Sequence, residues 1–389
     1  MSIAFELTPE QEEVKKQARE FGEREIAPFA AEIDEKDQMP WDLWRKMAQP
    51  PYKYTGIHIP EEYGGAPRPL LDICLIAEEM TFGGKIALAG MIMEAPGLAP
   101  GAILRGGGEE QKKKYLLPIT RGEGIGCFAL TEPGGGSDAA ALETVAELRN
   151  GKYVLNGRKR YVSFAHVGEW LIVFAKTDPT KGARGISAFV VEKGTPGFSV
   201  IEKIPVLGCR GHQDEEVLFQ NCEIPKENLL GEEGKGFKVA LGSLDETRTT
   251  LSAGFVGLAR AALEESVNYA KVRRAFGQYI AEFEAVCFPL AEVAIEIEAA
   301  RLLTFKAAVL ADKGIRHTVE TAAAKEFSSR LLLKAANLAV EVYGGFGCTK
   351  RHPVERIYRD ARTWVFAQGA PTVQKLIVAR NLFPELKIM

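Results

Sequence analysis

Three kinds of residue in this 389-residue chain have types and surroundings suited to chemistry. The first is a carboxylate in apolar company, Met91-Ile92-Met93-Glu94-Ala95-Pro96. Burial there disfavours the charged form, so the carboxyl pKa rises toward that of a general base. The same Glu94 can instead turn to solvent or pair with a buried Arg, and the sequence leaves these alternatives open. The second is a strand, Phe128-Ala129-Leu130-Thr131, that runs into Glu132-Pro133-Gly134-Gly135-Gly136-Ser137-Asp138. A strand ending in such a turn presents backbone N–H groups and the Ser137 hydroxyl to a ligand. The third is cationic. Arg248 stands in Asp245-Glu246-Thr247-Arg248, which reads as the opening of a long helix, and Arg273 in Arg273-Arg274-Ala275-Phe276-Gly277-Gln278. A guanidinium is a fixed fork of donors for phosphate or carboxylate. Gly122-Glu123-Gly124-Ile125-Gly126 imitates part of a dinucleotide fingerprint. It precedes a strand instead of joining strand to helix, so it reads as loop.

Composition removes several other functions. The net charge of −3 and a pI of about 6.1 give no basic signature for nucleic acid or an anionic membrane. No uninterrupted apolar run reaches the roughly 18 residues of a membrane span, so no membrane insertion is expected. Met1-Ser2-Ile3-Ala4-Phe5-Glu6 has neither a signal nor a transit pattern. Cysteines fall at 74, 127, 209, 222, 287 and 348 with no CxxC pair. Neither a metal site nor a disulfide framework is suggested, and a reducing cytoplasmic location is the expectation.

Three segments must position these residues. Residues 1–122 read as helical. Thr8-Pro9-Glu10-Gln11 is a capping box with Pro at the first helical position. Val14, Ala18, Phe21 and Ile26 follow near helical spacing, and Pro28 reads as the end of that run. Leu70–Met80 is a second apolar helix and Glu109–Leu116 a third helix start, acid first and base later. In 123–232 the period becomes two. Asn150-Gly151 and Asn156-Gly157 read as hairpin turns, and Leu171–Phe174, Ile186–Val191 and Val217–Phe219 as strands of a barrel or sandwich. In 233–389 helical stripes return: Leu251, Phe255, Leu258 and Ala262; then Val293, Ile297, Ala300, Phe305 and Val309; then Thr318–Tyr343 and Thr372–Leu382. The fold class is therefore α+β and multidomain: an N-terminal α domain, a middle β-barrel or sandwich, and a C-terminal four-helix bundle.

This order, the Thr131–Asp138 turn, and the stretch WVFAQGAPTVQKLIVAR at Trp364–Arg380 after Arg359-Asp360-Ala361-Arg362 together resemble the acyl-CoA dehydrogenase family. These are flavoenzymes that desaturate CoA thioesters, and the resemblance covers nearly the whole chain. It implies FAD, an acyl-CoA substrate, a homotetramer and an electron-transfer flavoprotein as acceptor. It places Phe128, Leu130, Thr131, Gly136, Ser137, Tyr161 and Ser163 against the flavin. It places Arg273, Phe276, Glu284, Glu341, Gly344 and Gly345 about its adenylate end. Family members often have Gln where Glu284 and Glu341 stand, and two acids near a pyrophosphate must turn to ribose hydroxyls or to Arg. Ser137, Asp245, Arg248, Met91, Ala367 and Gly369 fall to the substrate.

The resemblance also exposes a gap. The family's α-proton base is a Glu at the position of Gln368, and an amide cannot take that proton. The alternative family position, just before Arg248, holds Thr247. The backbone N–H at Gln368 can still stabilise a thioester enolate. Glu94 lies where the family's acyl pocket ends, and Ala367 replaces a common Tyr, which leaves room. These features are similar to those of members that oxidise cyclohex-1-ene-1-carboxyl-CoA by 1,4-elimination. A lyase releasing carboxylate or sulfinate, and a CoA- or flavin-binding protein without turnover, remain as alternatives.

Overall fold

A computed structural model describes residues 6–388. Met1–Phe5, which carry most of the segment read as free of a targeting pattern, lie outside the described residues. The capping box at Thr8 forms, with Gln11 N–H donating to Thr8 Oγ1 at 3.2 Å and Thr8 N–H to Gln11 Oε1 at 3.1 Å. It starts α1 (Pro9–Phe21). Pro28 does not end the helical path. It sits in a short 3₁₀ turn, Ala27–Phe29, that leads into α2 (Ala30–Lys36). A residue without an N–H is tolerated there because a first turn leaves that donor unpaired anyway. Next come α3 (Trp41–Ala48), α4 (Leu70–Gly84), α5 (Ala87–Gly106) and α6 (Glu109–Thr120).

Helix α5 corrects the expectation about membrane-length segments. It is long and apolar enough to span a bilayer, with mean hydropathy 1.4, but 83% of that window is buried inside the fold. Its apolarity is that of a core helix. The α4 helix is buried on every side and carries Glu78 inward. That carboxylate is held by Arg260 at 2.7 Å and Arg301 at 2.7 Å. A buried charge survives only when paired in this way.

The middle segment forms β1 (Gly126–Ala129), β2 (Val145–Arg149), β3 (Lys152–Ser163), β4 (Trp170–Lys176), β5 (Ile186–Glu192), β6 (Phe198–Lys203), β7 (Asp214–Pro225) and β8 (Leu229–Leu230). The strand path is β6-β7-β3-β2-β4-β5-β8, with β1 parallel to β4. A single pair, Val145 with Lys176, joins its two halves, so it behaves as two leaves around one core. Asn150-Gly151 is the turn between β2 and β3, both residues at positive φ. Asn156-Gly157 is not a turn. It lies within β3, where register with β7 shifts between Leu155 and Gly157 as a bulge.

The C-terminal helices are α7 (Gly236–Val272), α8 (Glu284–Asp312), α9 (Thr318–Tyr343), α10 (Pro353–Trp364) and α11 (Pro371–Leu382). The stripe Leu251, Phe255, Leu258 and Ala262 is fully buried. Each larger side chain among them contributes about 1.5–3 kcal/mol on burial. Asp245–Arg248 does not open α7, which begins nine residues earlier at Gly236. Between α7 and α8, Arg274–Ala275 (β9) and Gln278–Tyr279 (β10) form a hairpin. Its turn residues Phe276 and Gly277 both have positive φ, as a two-residue turn requires.

Candidate active site

Helices α5, α7 and α9 meet the turn Val365–Gly369 that follows α10. Glu94, at the middle of α5, is only 7% exposed. Its Oε2 accepts from Gln368 Nε2 at 2.5 Å, and its Oε1 is buried with no partner. Neither solvent nor an Arg receives it. Burial pushes the Glu94 carboxyl well above the usual carboxylate range, against weaker opposing pulls from Gln368, Trp364 and Lys325. The Trp364 indole N–H lies near Glu94 without completing a hydrogen bond.

Gln368 is pinned at three points. Its Oε1 accepts from Thr247 Oγ1 at 2.8 Å, its Nε2 donates to Glu94, and its backbone carbonyl accepts from Arg248 Nε at 2.8 Å. It is held in the left-handed region at φ +56. The Gln368 N–H donates to no backbone or side-chain group among the described residues. It is thus free for a thioester carbonyl. Thr247 is fully buried.

Arg248, expected at the substrate, lies beside Gln368. It is 7% exposed and engaged by Gln368 and by Asp245 Oδ1 at 3.2 Å. Asp245 Oδ2 in turn accepts from Thr318 Oγ1 at 2.9 Å. Through these contacts both residues position the turn. Met91 lies one turn before Glu94 on α5 and is buried, and Ala367 and Gly369 are half-buried. The Trp364 ring fills the space between Gly90 and Gly254, where an added Cβ would come within 2.3 Å and 2.6 Å of its Cη2.

The β residues expected against a flavin are mostly where a flat ligand can reach them. The Pro133–Asp138 turn is exposed, Ser137 and Gly136 included, and Thr131 is half-buried. Glu132 anchors the turn by accepting from Lys159 Nζ at 2.7 Å and Thr144 N–H at 3.0 Å. Lys159, fully buried, also donates to Leu130 O at 3.2 Å. Tyr161 is exposed at φ +56. The Ser163 hydroxyl donates to Asp214 Oδ1 at 3.0 Å, which leaves its lone pairs to accept from a ligand. Phe128 packs on Phe174 at 4.9 Å between ring centres.

A cleft of about 690 Å³ opens between the Arg273 loop and the end of α9, lined by Tyr269, Arg273, Gly344, Gly345 and Phe346. A Cβ at Gly344 or Gly345 would meet nothing within 4 Å. Arg273 is exposed and forms no ion pair among the described residues, and Phe276 is 96% exposed. Glu341 accepts from Asn337 Nδ2 at 2.7 Å along its own helix, so it turns to neither an Arg nor the cleft. Glu284 is exposed in the first turn of α8, where the helix dipole favours an acid. A cationic, glycine-walled, aromatic cleft together with an exposed glycine turn fits a dinucleotide with a diphosphate.

Comparison with known proteins settles the ancestry. Residues 8–123, 127–222 and 234–383 match the acyl-CoA dehydrogenase N-terminal, middle and C-terminal domains. This chain belongs to the acyl-CoA dehydrogenase family. It is 40% identical over 381 residues to a short-chain specific acyl-CoA dehydrogenase of Clostridium acetobutylicum, covering 97% of this chain and 99% of that one. It superposes on butyryl-CoA dehydrogenase of Megasphaera elsdenii with TM-score 0.92 and 36% identity, covering 98% and 100%. A chain of the structure described as the electron transferring flavoprotein of Acidaminococcus fermentans gives TM-score 0.93 at 38% identity, covering 98% and 100%.

Membership makes the chain an FAD-dependent oxidoreductase acting on CH–CH groups of acyl-CoA thioesters. In this dehydrogenase the Thr131–Ser137 turn, Tyr161, Arg273 and Gly344-Gly345 are the groups available to hold FAD. Sequence reading missed Lys159, Lys325, Trp364 and His58. His58 is half-buried, with its Nε2 shut in near Gly97 and Thr247 and unpartnered, and its pKa is lowered to about 4 by desolvation. Lys325 carried a signal, as a lone cation on the buried face of α9, whereas Lys159, between Arg158 and Arg160, carried none.

Proposed function

We propose that this dehydrogenase takes its substrate proton with Glu94, and that its substrate is an alicyclic acyl-CoA thioester such as cyclohex-1-ene-1-carboxyl-CoA. The observation that carries the reading is the Glu94 carboxylate: one oxygen steadied by Gln368, the other buried and free. Gln368 offers no base in its place. Its amide oxygen is engaged by Thr247 and its nitrogen can only donate. The backbone N–H of Gln368 holds the thioester carbonyl and stabilises its enolate. A ring C–H away from the thioester gives its proton to Glu94. A second hydrogen leaves with its electron pair, and a carbon–carbon double bond forms. Bound FAD supplies acceptance of that hydride. The raised Glu94 pKa makes the carboxylate a stronger acceptor once ionised. Relatives named for short-chain and butyryl substrates support a small acyl group, and a six-membered ring is compact.

The assembly we propose is a homotetramer, supported by the exposed Phe288, Ile295 and Leu302 at seven-residue intervals along α8. An electron-transfer flavoprotein is the proposed acceptor. The test is Glu94→Gln, assayed by flavin bleaching with cyclohex-1-ene-1-carboxyl-CoA and with butyryl-CoA. A loss of about 10²–10⁴ in rate with FAD still bound is expected. Full activity on every thioester that the parent oxidises rules Glu94 out.

A further inference from the structure

We infer that Lys325 is the positioning residue of this site: its ammonium clamps the Val365–Gly369 turn that carries Gln368 and sets its charge toward Glu94. Lys325 lies in the middle of α9 and is fully buried. Its Nζ donates to Val365 O at 2.7 Å and to Gly369 O at 2.5 Å, the first and last residues of the turn. Between them Gln368 occupies the left-handed region, which a non-glycine residue keeps only where its surroundings hold it. Arg248 supplies the third hold, on the Gln368 carbonyl. Without Lys325 the turn ends would lose their shared anchor. The free Gln368 N–H would then lose its fixed direction.

The charged groups facing Lys325 are few. From α7 comes Arg248, which opposes its charge, and the Phe255 ring, with Nζ 5.9 Å from the centroid. From α5 comes Glu94, the one anion acting on it. On its own helix Glu326 points away, to Arg330 at 2.8 Å and Lys375 at 3.4 Å. Burial and Arg248 bring the Lys325 amine down to about 7. The Glu94 carboxyl moves up at the same time. The two groups therefore titrate as a coupled pair. Below about pH 7 the ammonium supports an ionised Glu94, and above it that support is lost as Lys325 deprotonates. The pairing with Glu94 rests on the proposed role of that carboxylate, whereas the clamp on the turn does not.

The test uses the FAD-loaded full chain and two variants. Lys325→Met removes donors and charge; Lys325→Gln removes the charge and keeps an N–H donor on a shorter side chain. Hydrogen exchange of residues 365–369 is followed by mass spectrometry. Thioester-dependent flavin reduction is followed from pH 5.5 to 9. For Lys325→Met, exchange of the turn amides quickens and kcat falls by about 10²-fold while KM barely moves, as expected of a misplaced reacting geometry. Loss of the charge raises the Glu94 carboxyl further, so the rise of kcat with pH moves to higher pH. Lys325→Gln keeps exchange closer to the parent yet shows the same upward move. If Lys325→Met does not fold, the pH profile of Lys325→Gln decides. Parent-like exchange, kcat and pH profile in the folded variants overturn the inference. Should Glu94→Gln stay fully active while Lys325→Met loosens the turn and lowers kcat, the Glu94 reading fails and the clamp stands.

Discussion

At the acyl end of the site, Glu94, Thr247, Arg248 and Lys325 are buried, and each engages the Gln368 turn of the same chain. At the end proposed for the adenylate, Arg273 and Phe276 stand in solvent, and Gly344 and Gly345 face a cleft that no described residue fills. One end is finished by intrachain contacts and the other is open. Geometry that must hold to a fraction of an ångström is built where water is excluded and every partner is covalently connected. Binding of a cofactor tail needs only complementary surface, which a ligand or a second subunit can complete. Substitutions at the first end should therefore change chemistry, and at the second, retention.

The largest effect is expected from exchanging acid and amide. Gln368→Glu alone would set a second carboxylate against Glu94, and the two would share one proton. Combined with Glu94→Gln, the acid–amide hydrogen bond survives with its roles reversed. The proton acceptor then sits beside the thioester, at the α-carbon. Oxidation of butyryl-CoA by the double variant should exceed that of Glu94→Gln by about 10²–10⁴, the usual worth of a general base. Stopped-flow flavin reduction measures it. No gain, with thioester and FAD still bound, would mean that position 368 no longer faces an α-proton.

Legibility in the sequence follows the same division. The bounds of α9 were readable at Thr318–Tyr343 because its apolar residues repeat at helical spacing and the stripe is buried. The α10 helix was passed over although Val354, Ile357, Ala361 and Trp364 form a stripe, since Arg356, Arg359, Asp360 and Arg362 lie between them. Asn156-Gly157 misled because a turn dipeptide also serves a bulge. Glu94 was recognisable as a carboxylate in apolar surroundings. Its contact with Gln368, 274 residues away, was not, because no local period encodes a meeting of distant segments. The hold of Arg248 on the Gln368 carbonyl, 120 residues away, was hidden for the same reason.

A middle-sized effect should show how dry the acyl end is. His58 is half-buried, with its Nε2 shut in beside Gly97 and Thr247, and its pKa is about 4 against a usual 6.5. Between these values the unfolded chain binds a proton that the folded chain refuses. Stability is therefore complete above pH 6.5 and falls as pH drops toward 4. The difference amounts to about 3 kcal/mol at most. Denaturant midpoints from pH 7 to 4.5 should decline less steeply for His58→Leu than for the parent. Equal slopes would place water at His58 and weaken the picture of a sealed end.

The smallest effect is expected at the open end. Arg273 is solvated and has no intrachain ion pair among the described residues, so its removal leaves no buried partner stranded. A charge-assisted hydrogen bond contributes roughly 1.5–3 kcal/mol, and at an exposed site water and salt screen part of it. Arg273→Ala should therefore weaken FAD binding by only about tenfold, more at low salt than at high. Folding stability should hardly change. Arg274 is the control. It stacks on Tyr279 at 4.5 Å and donates to Gly277 O at 2.8 Å, so Arg274→Ala removes a neighbouring charge without touching the cleft wall. Fluorescence titration of the apoprotein with FAD, run beside sedimentation, separates cofactor loss from subunit loss. If a second subunit completes the cleft, Arg273→Ala also loosens the oligomer, and added FAD restores it. Equal FAD affinity in both variants and the parent would mean that this cleft is not where the cofactor's diphosphate lies.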